Sequence, residues 1–284
     1  MPTLAVGMLE TRENYDMPTA SVGMAPLPNT FRNGIYVTPQ HPSKNSFRRS
    51  HAMRASLRVA LSSVLGFAFL ATARAADNTP PPGFTALFNG KDLTGWKGLL
   101  KPPLDNPAAR AKLTPEQLAE AQKEADDVMR NGWRAEDGML IFNGKGRSLC
   151  TARDYGDFEM YVDWKIGPHG DSGIYLRGSP QVQIWDPNQS KIGSGGLYNN
   201  QKNPSKPAKI ADKPVGQWNT FYIRMAGDKV TVKLNGELIV DNVVLENYWQ
   251  RNLPIYPTGQ IELQNHGNTL WFKNVYLREV PPQK

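Results

Sequence analysis

Gly170 to Pro187 reads GDSGIYLRGSPQVQIWDP, two short runs parted by Gly178, Ser179 and Pro180. In each run aliphatic side chains alternate with polar or aromatic ones. Ile174 and Leu176 fall on one face, Tyr175 and Arg177 on the other. Val182 and Ile184 share a face, opposite Gln181, Gln183 and Trp185. Successive strand side chains point to opposite sides, so the pattern predicts two strands with one core face. The other face carries amides, a guanidinium and aromatic rings.

The same period runs through the second half of the chain. Asp157 to Ile166 alternates cleanly: Phe158, Met160, Val162, Trp164 and Ile166 point one way, Glu159, Tyr161, Asp163 and Lys165 the other. Asn219 to Ala226 and Lys229 to Asn242 repeat it, the latter around Asn235-Gly236, a type I′ hairpin signal. Gly259 to Gly267 and Leu270 to Val280 close the set. Many short alternating strands predict an all-β chain folded as an antiparallel β-sandwich or jelly roll. One clear helix interrupts it, over Thr114 to Arg130. Thr114 is placed as N-cap, Pro115 at the first helical position and Gln117 to close a capping box. Its apolar stripe (Leu118, Ala121, Ala125, Val128, Met129) is thin, which suits an insertion lying on the sandwich.

The first 76 residues read as a leader. Arg54 and Arg58 precede the apolar run Val59 to Leu70, and Ala73-Arg74-Ala75 gives an A-x-A cleavage site. This is the order of a secretory signal, and the run is short of the roughly 20 residues of a membrane span. Residues 1–52 read as an over-extended start ahead of Met53. The organisation expected is thus a leader (1–52), a signal peptide (53–76), a Pro-rich linker (77–83) and a sandwich (84–281) with a helical insertion at 99–131. The expected location is periplasmic or extracellular, with no stable membrane insertion once the signal is cleaved. Eight of the chain's basic and three of its acidic residues lie in the leader, so the formal charge falls from +7 to +2 without it. A remainder so nearly neutral gives no footprint for nucleic acid. Cys150 is the single cysteine, which excludes an intrachain disulfide and reads as a small buried hydrophobe.

The polar faces are unusual in residue type. Together they offer Glu159, Tyr161, Asp163, Lys165, Tyr175, Arg177, Gln181, Gln183, Trp185, Glu262, Gln264 and His266. These side chains bond hydroxyls and stack on sugar rings; the competing reading is an ordinary polar sheet surface. Two carboxylates flanking a bond would suit glycoside cleavage. Glu159 and Asp163, however, lie four residues apart on one strand, about 13 Å, so a partner such as Glu262 or Asp186 is expected from another strand. His266 reads either as an acid or base or as a plain turn residue. His169 and Asp171 are candidates for a divalent cation, although no metal-ligand spacing is present. The glycine-rich Gly193 to Asn200 reads as a loop, with Tyr198 and Asn199 at a rim.

Six ordered motifs resemble the 3-keto-disaccharide hydrolase family, whose domain is also described as a 3-keto-glucoside lyase/hydratase. They are the Phe84–Trp96 stretch, D-S-G-I-Y-L-R-G, V-Q-I-W-D, G-G-L-Y, G-Q-W-N and I-x-L-Q-N-H-G-x-x-x-W-F-K-N-V, over about residues 84–280. The resemblance implies a concanavalin A-like sandwich and an exported enzyme acting on glycosides whose glucose C3 hydroxyl has become a ketone. No cofactor is expected. By motif match, Arg177 would polarise the ketone, and His266 or Glu159 would move the proton. Gln181, Gln183 and Gln264 would hold hydroxyls, in a substrate surface with Tyr161, Asp163, Tyr175, Trp185, Asp186, Tyr198 and Glu262. The family often carries Glu at the position of Gln181, and a glutamine is neither base nor cation ligand. Two readings compete: a non-catalytic carbohydrate-binding module using the same face, and an interaction domain of a surface assembly in which the fold is merely scaffold.

Overall fold

A computed structural model describes residues 76–281; the leader and signal read from the sequence lie outside that range, apart from residue 76. In chain order the elements are β1 (Thr85–Ala86), β2 (Trp96–Gly98), α1 (Pro107–Arg110), α2 (Pro115–Gly132), β3 (Trp133–Glu136), β4 (Met139–Asn143) and β5 (Leu149–Thr151). They continue with β6 (Phe158–Ile166), β7 (Asp171–Leu176), β8 (Ser179–Trp185), α3 (Pro187–Ser190), β9 (Asn219–Ala226), β10 (Lys229–Leu234), β11 (Glu237–Val244), β12 (Glu262–Leu263) and β13 (Thr269–Glu279). Eight strands make one sheet, in the order β11-β10-β9-β6-β13-β4-β3 with β1 added beside β13. Five make the other, β2-β5-β12-β7-β8. Among the described residues every strand pairing is antiparallel. The predicted sandwich with a helical insertion is what the chain forms.

Alternation explains the core. Met160, Val162 and Trp164 of β6 meet Ile174, Leu176, Val182, Ile184 and Leu263 of the smaller sheet in a single cluster, each at most 1% exposed. Each such side chain contributes about 1.5–3 kcal/mol on burial. The Asn235-Gly236 turn joins β10 to β11 with φ of +53° and +89°, as a type I′ hairpin demands. β13 is long enough for two partners on one side. Thr269 to Phe272 pair with β4, and Tyr276 and Leu277 pair with β1. Between them a register shift and Asn274 at φ +52° break the ladder. Asn78 docks on that break: its N–H donates to Asn274 Oδ1 at 2.7 Å, and the Asn274 N–H donates back to Asn78 Oδ1 at 3.1 Å. The head of the expected linker is thus fastened to the sheet.

The insertion holds two helices where the sequence pattern showed one. The capping box forms as read, with Thr114 Oγ1 accepting from the Gln117 N–H and the Thr114 N–H donating to Gln117 Oε1 at 3.0 Å. α2 runs two residues past Arg130, to Gly132. It packs on β2 at Gly98, where any Cβ would lie 2.2 Å from the Ala125 carbonyl oxygen. Asp126 and Gln122 bond the Gly98 N–H and C=O, each at 2.8 Å, and so cover the edge strand. No helix among the described residues is long and apolar enough to cross a membrane.

One consequence of the pairing corrects the sequence reading. The outward side chains of β6 (Glu159, Tyr161, Asp163, Lys165) lie on the outer surface of the eight-stranded sheet. Those of β7, β8 and β12 (Tyr175, Gln181, Gln183, Trp185, Glu262), with Gln264 just past β12, lie on the outer surface of the five-stranded sheet. The face pooled as one is two, on opposite sides of the sandwich.

Candidate functional site

Register turns the outer surface of the small sheet into a grid. Asp171 lies opposite Trp185, and Gly173 opposite Gln183. The Gln264 N–H donates to the Gly173 carbonyl at 2.9 Å. Glu262 is flanked by Tyr175 on one side and Cys150 on the other. Across these strands the grid therefore has three rows: Asp171 with Trp185; Gln264, Gly173 and Gln183; Cys150, Glu262 and Tyr175.

Asp171 organises the first two rows. Its Oδ1 accepts from Gln183 Nε2 at 2.8 Å and its Oδ2 from Trp185 Nε1 at 3.0 Å. His266 Nδ1 is 3.6 Å from the same Oδ2, with the ring about half exposed. Gln181 Nε2 donates to Gln183 Oε1, so one directed chain runs Gln181 to Gln183 to Asp171. A cleft of about 380 Å³ opens there, lined by His169, Asp171, Trp185, Asp186 and His266. Tyr198, 51% exposed, stands edge-on to Trp185 with ring centres 5.0 Å apart. The glycine-rich loop reaches this rim by pairing with β8 through the Val182–Leu197 bridge.

Gly173 is the small residue the site requires. A Cβ there would lie 2.9 Å from Gln181 Cδ and 3.1 Å from Gln264 Oε1. Gln264 Oε1 is buried with no hydrogen-bond partner, while its Nε2 reaches the Tyr175 hydroxyl at 3.4 Å. An unpartnered buried acceptor costs free energy unless a donor meets it, and a sugar hydroxyl is such a donor.

Glu262, 2% exposed, is the unusual acid of the face. Burial raises it, the Ser148 hydroxyl and the Arg110 charge pull it down, Asp105 pushes it up, and the balance is about 7. Asp105 and Arg110 belong to the insertion, which roofs this row. Burial and then the Glu262 charge raise the Cys150 thiol far above its usual range. It is the inert hydrophobe expected, with Gln260 Nε2 on its sulfur at 3.1 Å. Tyr175 is raised by the same two causes, with Tyr248 and Asp105 adding to them.

Several sequence assignments move. Arg177 leaves the face: 2% exposed and at φ +54°, it donates to the carbonyls of Gly156 (2.9 Å), Gly227 (2.7 Å) and Tyr256 (3.4 Å) and pairs with Asp157. It fastens loops and does not point into the cleft. Glu159 lies across the sandwich, paired with Arg278 and Arg224. Asp163, also there, accepts from Thr220 Oγ1 at 2.6 Å and Asn274 Nδ2 at 2.7 Å. Tyr161 is on that same surface. Asp186 lines the cleft, but its oxygens accept from the Asn188 and His169 N–H groups, both at 2.8 Å, and cap α3. Asp171, read before only as an ion ligand, and Gly173 are the site residues the sequence reading missed. Among the described residues no three His, Cys, Asp or Glu side chains are grouped to hold a metal ion.

The sequence model of the 3-keto-alpha-glucoside-1,2-lyase-like domain matches residues 83–278. A Bacteroides thetaiotaomicron protein named 3-keto-disaccharide hydrolase is 22% identical over 253 residues, covering 69% of this chain and 78% of that protein. A solved candidate glycosyl hydrolase from Parabacteroides distasonis superposes with a TM-score of 0.51 at 26% identity, covering 72% of this chain and 100% of that one. A second from the same organism gives 0.52 at 23% identity, covering 70% and 85%. It bears on the fold alone.

Proposed function

The chain belongs to the 3-keto-alpha-glucoside-1,2-lyase-like domain family, and from that membership we propose an exported enzyme that cleaves glucosides carrying a ketone at C3. The observation that supports it most is the Asp171 cluster, in which one carboxylate accepts from Gln183 and Trp185 and lies 3.6 Å from Nδ1 of the half-exposed His266 at the mouth of a cleft. Export rests on the signal read at residues 53–76.

The ketone makes the C2 proton acidic. His266, with Asp171 behind its Nδ1, takes that proton on its other nitrogen, and the C2–H electrons form the C2=C3 enolate. Collapse of the enolate restores the ketone, forms C1=C2 and breaks the C1–O bond. The departing oxygen needs a proton, and Glu262 is the carboxyl of this face that holds one up to about pH 7. Water then adds at C1 while a proton returns to C2, which completes net hydrolysis. Gln264 Oε1 and the Gln181–Gln183 pair hold hydroxyls, and Trp185 and Tyr198 offer rings to the sugar. Arg177 has no step, since its guanidinium is buried among loop carbonyls.

The test is incubation of the protein with 3-keto-sucrose, 3-keto-trehalose and their unoxidised parents. Turnover of the keto sugars only is expected, falling by about 10²-fold or more in His266→Ala and Asp171→Asn. No turnover of any of them, with plain glycans bound, would establish the carbohydrate-binding module instead.

A further inference from the structure

A second pocket, of about 620 Å³, lies between the helical insertion and the small sheet it covers. Register fixes its place. Asp171, Gly173 and Tyr175 step along β7, and Glu262 lies opposite Tyr175. The next step in that direction reaches Gln260, whose carbonyl accepts from the Gly178 N–H at 2.8 Å. Gln260 lines the pocket, as does Lys97, which lies opposite Cys150, itself opposite Glu262. The pocket therefore continues the face past Glu262, on the side away from Asp171 and His266.

Its walls differ in kind. The insertion supplies Pro107, Ala111, Pro115, Leu118 and Ala119, aliphatic throughout, with Leu118 37% exposed. Two cations complete it, Lys97 and Arg110, and neither is in a salt bridge among the described residues. Lys97 Nζ donates to the Ala152 carbonyl at 3.4 Å, and Arg110 Nη1 to the Leu104 carbonyl at 3.5 Å. Asp154 is the one carboxylate among the lining residues, and it stands exposed at the rim. Gln122 also lines the pocket, but its Nε2 is spent on Gly98 and Asp126. No aromatic side chain lines it, in contrast to the cleft with Trp185 and Tyr198.

We propose that this pocket receives the leaving group of the substrate, and that the group it fits is an aryl aglycone, not a second sugar; the proposal rests on the reading of this face as the site that cleaves 3-keto-glucosides. The sugar ring, with its C2 proton, lies toward His266, and Glu262 meets the departing oxygen, so the group carried on that oxygen extends into the pocket. The Arg110 charge is felt at Glu262, which puts the guanidinium beside that oxygen. A pyranose there would turn hydroxyls onto Leu118 and Pro115, where they find no partner. An aryl ring buries the same aliphatic wall favourably, and its face attracts a guanidinium or an ammonium.

Kinetics of the full chain on the 4-nitrophenyl and methyl 3-keto-α-glucosides and on 3-keto-sucrose test this. Calorimetric binding of unoxidised 4-nitrophenyl α-glucoside adds a readout that needs no turnover. The ratio of kcat/KM for the aryl over the methyl substrate should fall about tenfold in Leu118→Ala, which takes most of one aliphatic side chain from the pocket, and in Arg110→Ala. The same ratio for 3-keto-sucrose over the methyl substrate should hold, and both variants should bind the aryl glucoside about tenfold more weakly. The proposal is overturned if the parent cleaves keto sugars but not the aryl one, if neither variant changes the aryl-to-methyl ratio, or if the ratio for 3-keto-sucrose falls with it. A parent that cleaves none of the three sinks the enzymatic reading instead. The pocket is then judged by binding alone: weaker binding in the variants supports it as an aryl site, and no binding, or equal binding, overturns it.

Discussion

Replacing Arg177 by methionine separates a residue that builds the site from one that acts in it. Methionine keeps length and burial but removes every donor. The guanidinium bonds the carbonyls of Gly156, Gly227 and Tyr256 and pairs with Asp157, the two side chains being 2% and 9% exposed. After substitution Asp157 keeps the Gly227 N–H at 2.9 Å and loses its counter-charge. Removing one partner of a buried pair costs about 3–5 kcal/mol, a large share of the roughly 5–15 kcal/mol that holds a protein folded. For a domain of this size that is a fall in Tm of roughly 10 °C. In Arg177→Met/Asp157→Asn no lone charge is left behind, so the double variant should cost less than the two single ones together by about 1–3 kcal/mol. Urea and thermal unfolding measure the stabilities, and turnover of 3-keto-sucrose per folded molecule measures the rest. Stability should drop while turnover per folded molecule holds at the parent's level. Unchanged stability with turnover abolished would refute the structural role and return Arg177 to the ketone, where motif resemblance put it.

Two other perturbations probe the same surface. Glu262 stands at about 7 against an ordinary 4.5 because it is buried, so between those pH values the folded chain holds a proton that the unfolded chain has lost. That stabilisation is complete below pH 4.5 and gone above 7; Glu262→Gln should match the parent at pH 4.5 and exceed it at pH 8 by up to about 3 kcal/mol. A parent-minus-variant difference in unfolding free energy that stays flat across that range would remove Glu262 as a neutral-range acid. Gly173→Ala drives a methyl against Gln181 and Gln264 at 2.9 and 3.1 Å and should cost about 1–3 kcal/mol in stability. It should also raise KM for keto sugars, and an unaltered KM would show that those amides do not hold the sugar.

The sandwich was legible because alternation is local: each strand declares its own inner and outer side chains, and the inner sets of β6, β7, β8 and β13 are apolar almost without exception. Which strands share a sheet is non-local. Nothing in the run Glu159, Tyr161, Asp163 distinguishes its surface from that of Tyr175, Gln183 and Gln264, so the two surfaces merged in the sequence reading. Pairing of β6 with β9 and β13 separates them. Arg177 failed for a different reason. Alternation holds only while the strand continues, and the register shifts between Ile174 and Leu176, after which Arg177 turns to positive φ and off the face.

Asp171 was within reach of the same rule. Stepping back by two from Tyr175 gives Gly173 and then Asp171, all on one face. Stepping forward from Gln181 gives Gln183 and Trp185. Once β7 and β8 are read as a hairpin, Asp171 must lie opposite Trp185, and Gly173 opposite Gln183. A carboxylate set against an indole and a carboxamide, beside a glycine that admits a third amide from β12, is already a polar site rather than a solvated edge. Two facts were beyond that arithmetic. β12 lies between β5 and β7 from more than eighty residues downstream, and it brings His266 to Asp171. Residues 99–131, whose sequence shows only a thinly amphipathic helix, fold onto the face and place Arg110 and Asp105 near Glu262, whose carboxyl is raised chiefly by its burial. Both depend on contacts distant in the chain, and neither can be read from the alternation of a single strand.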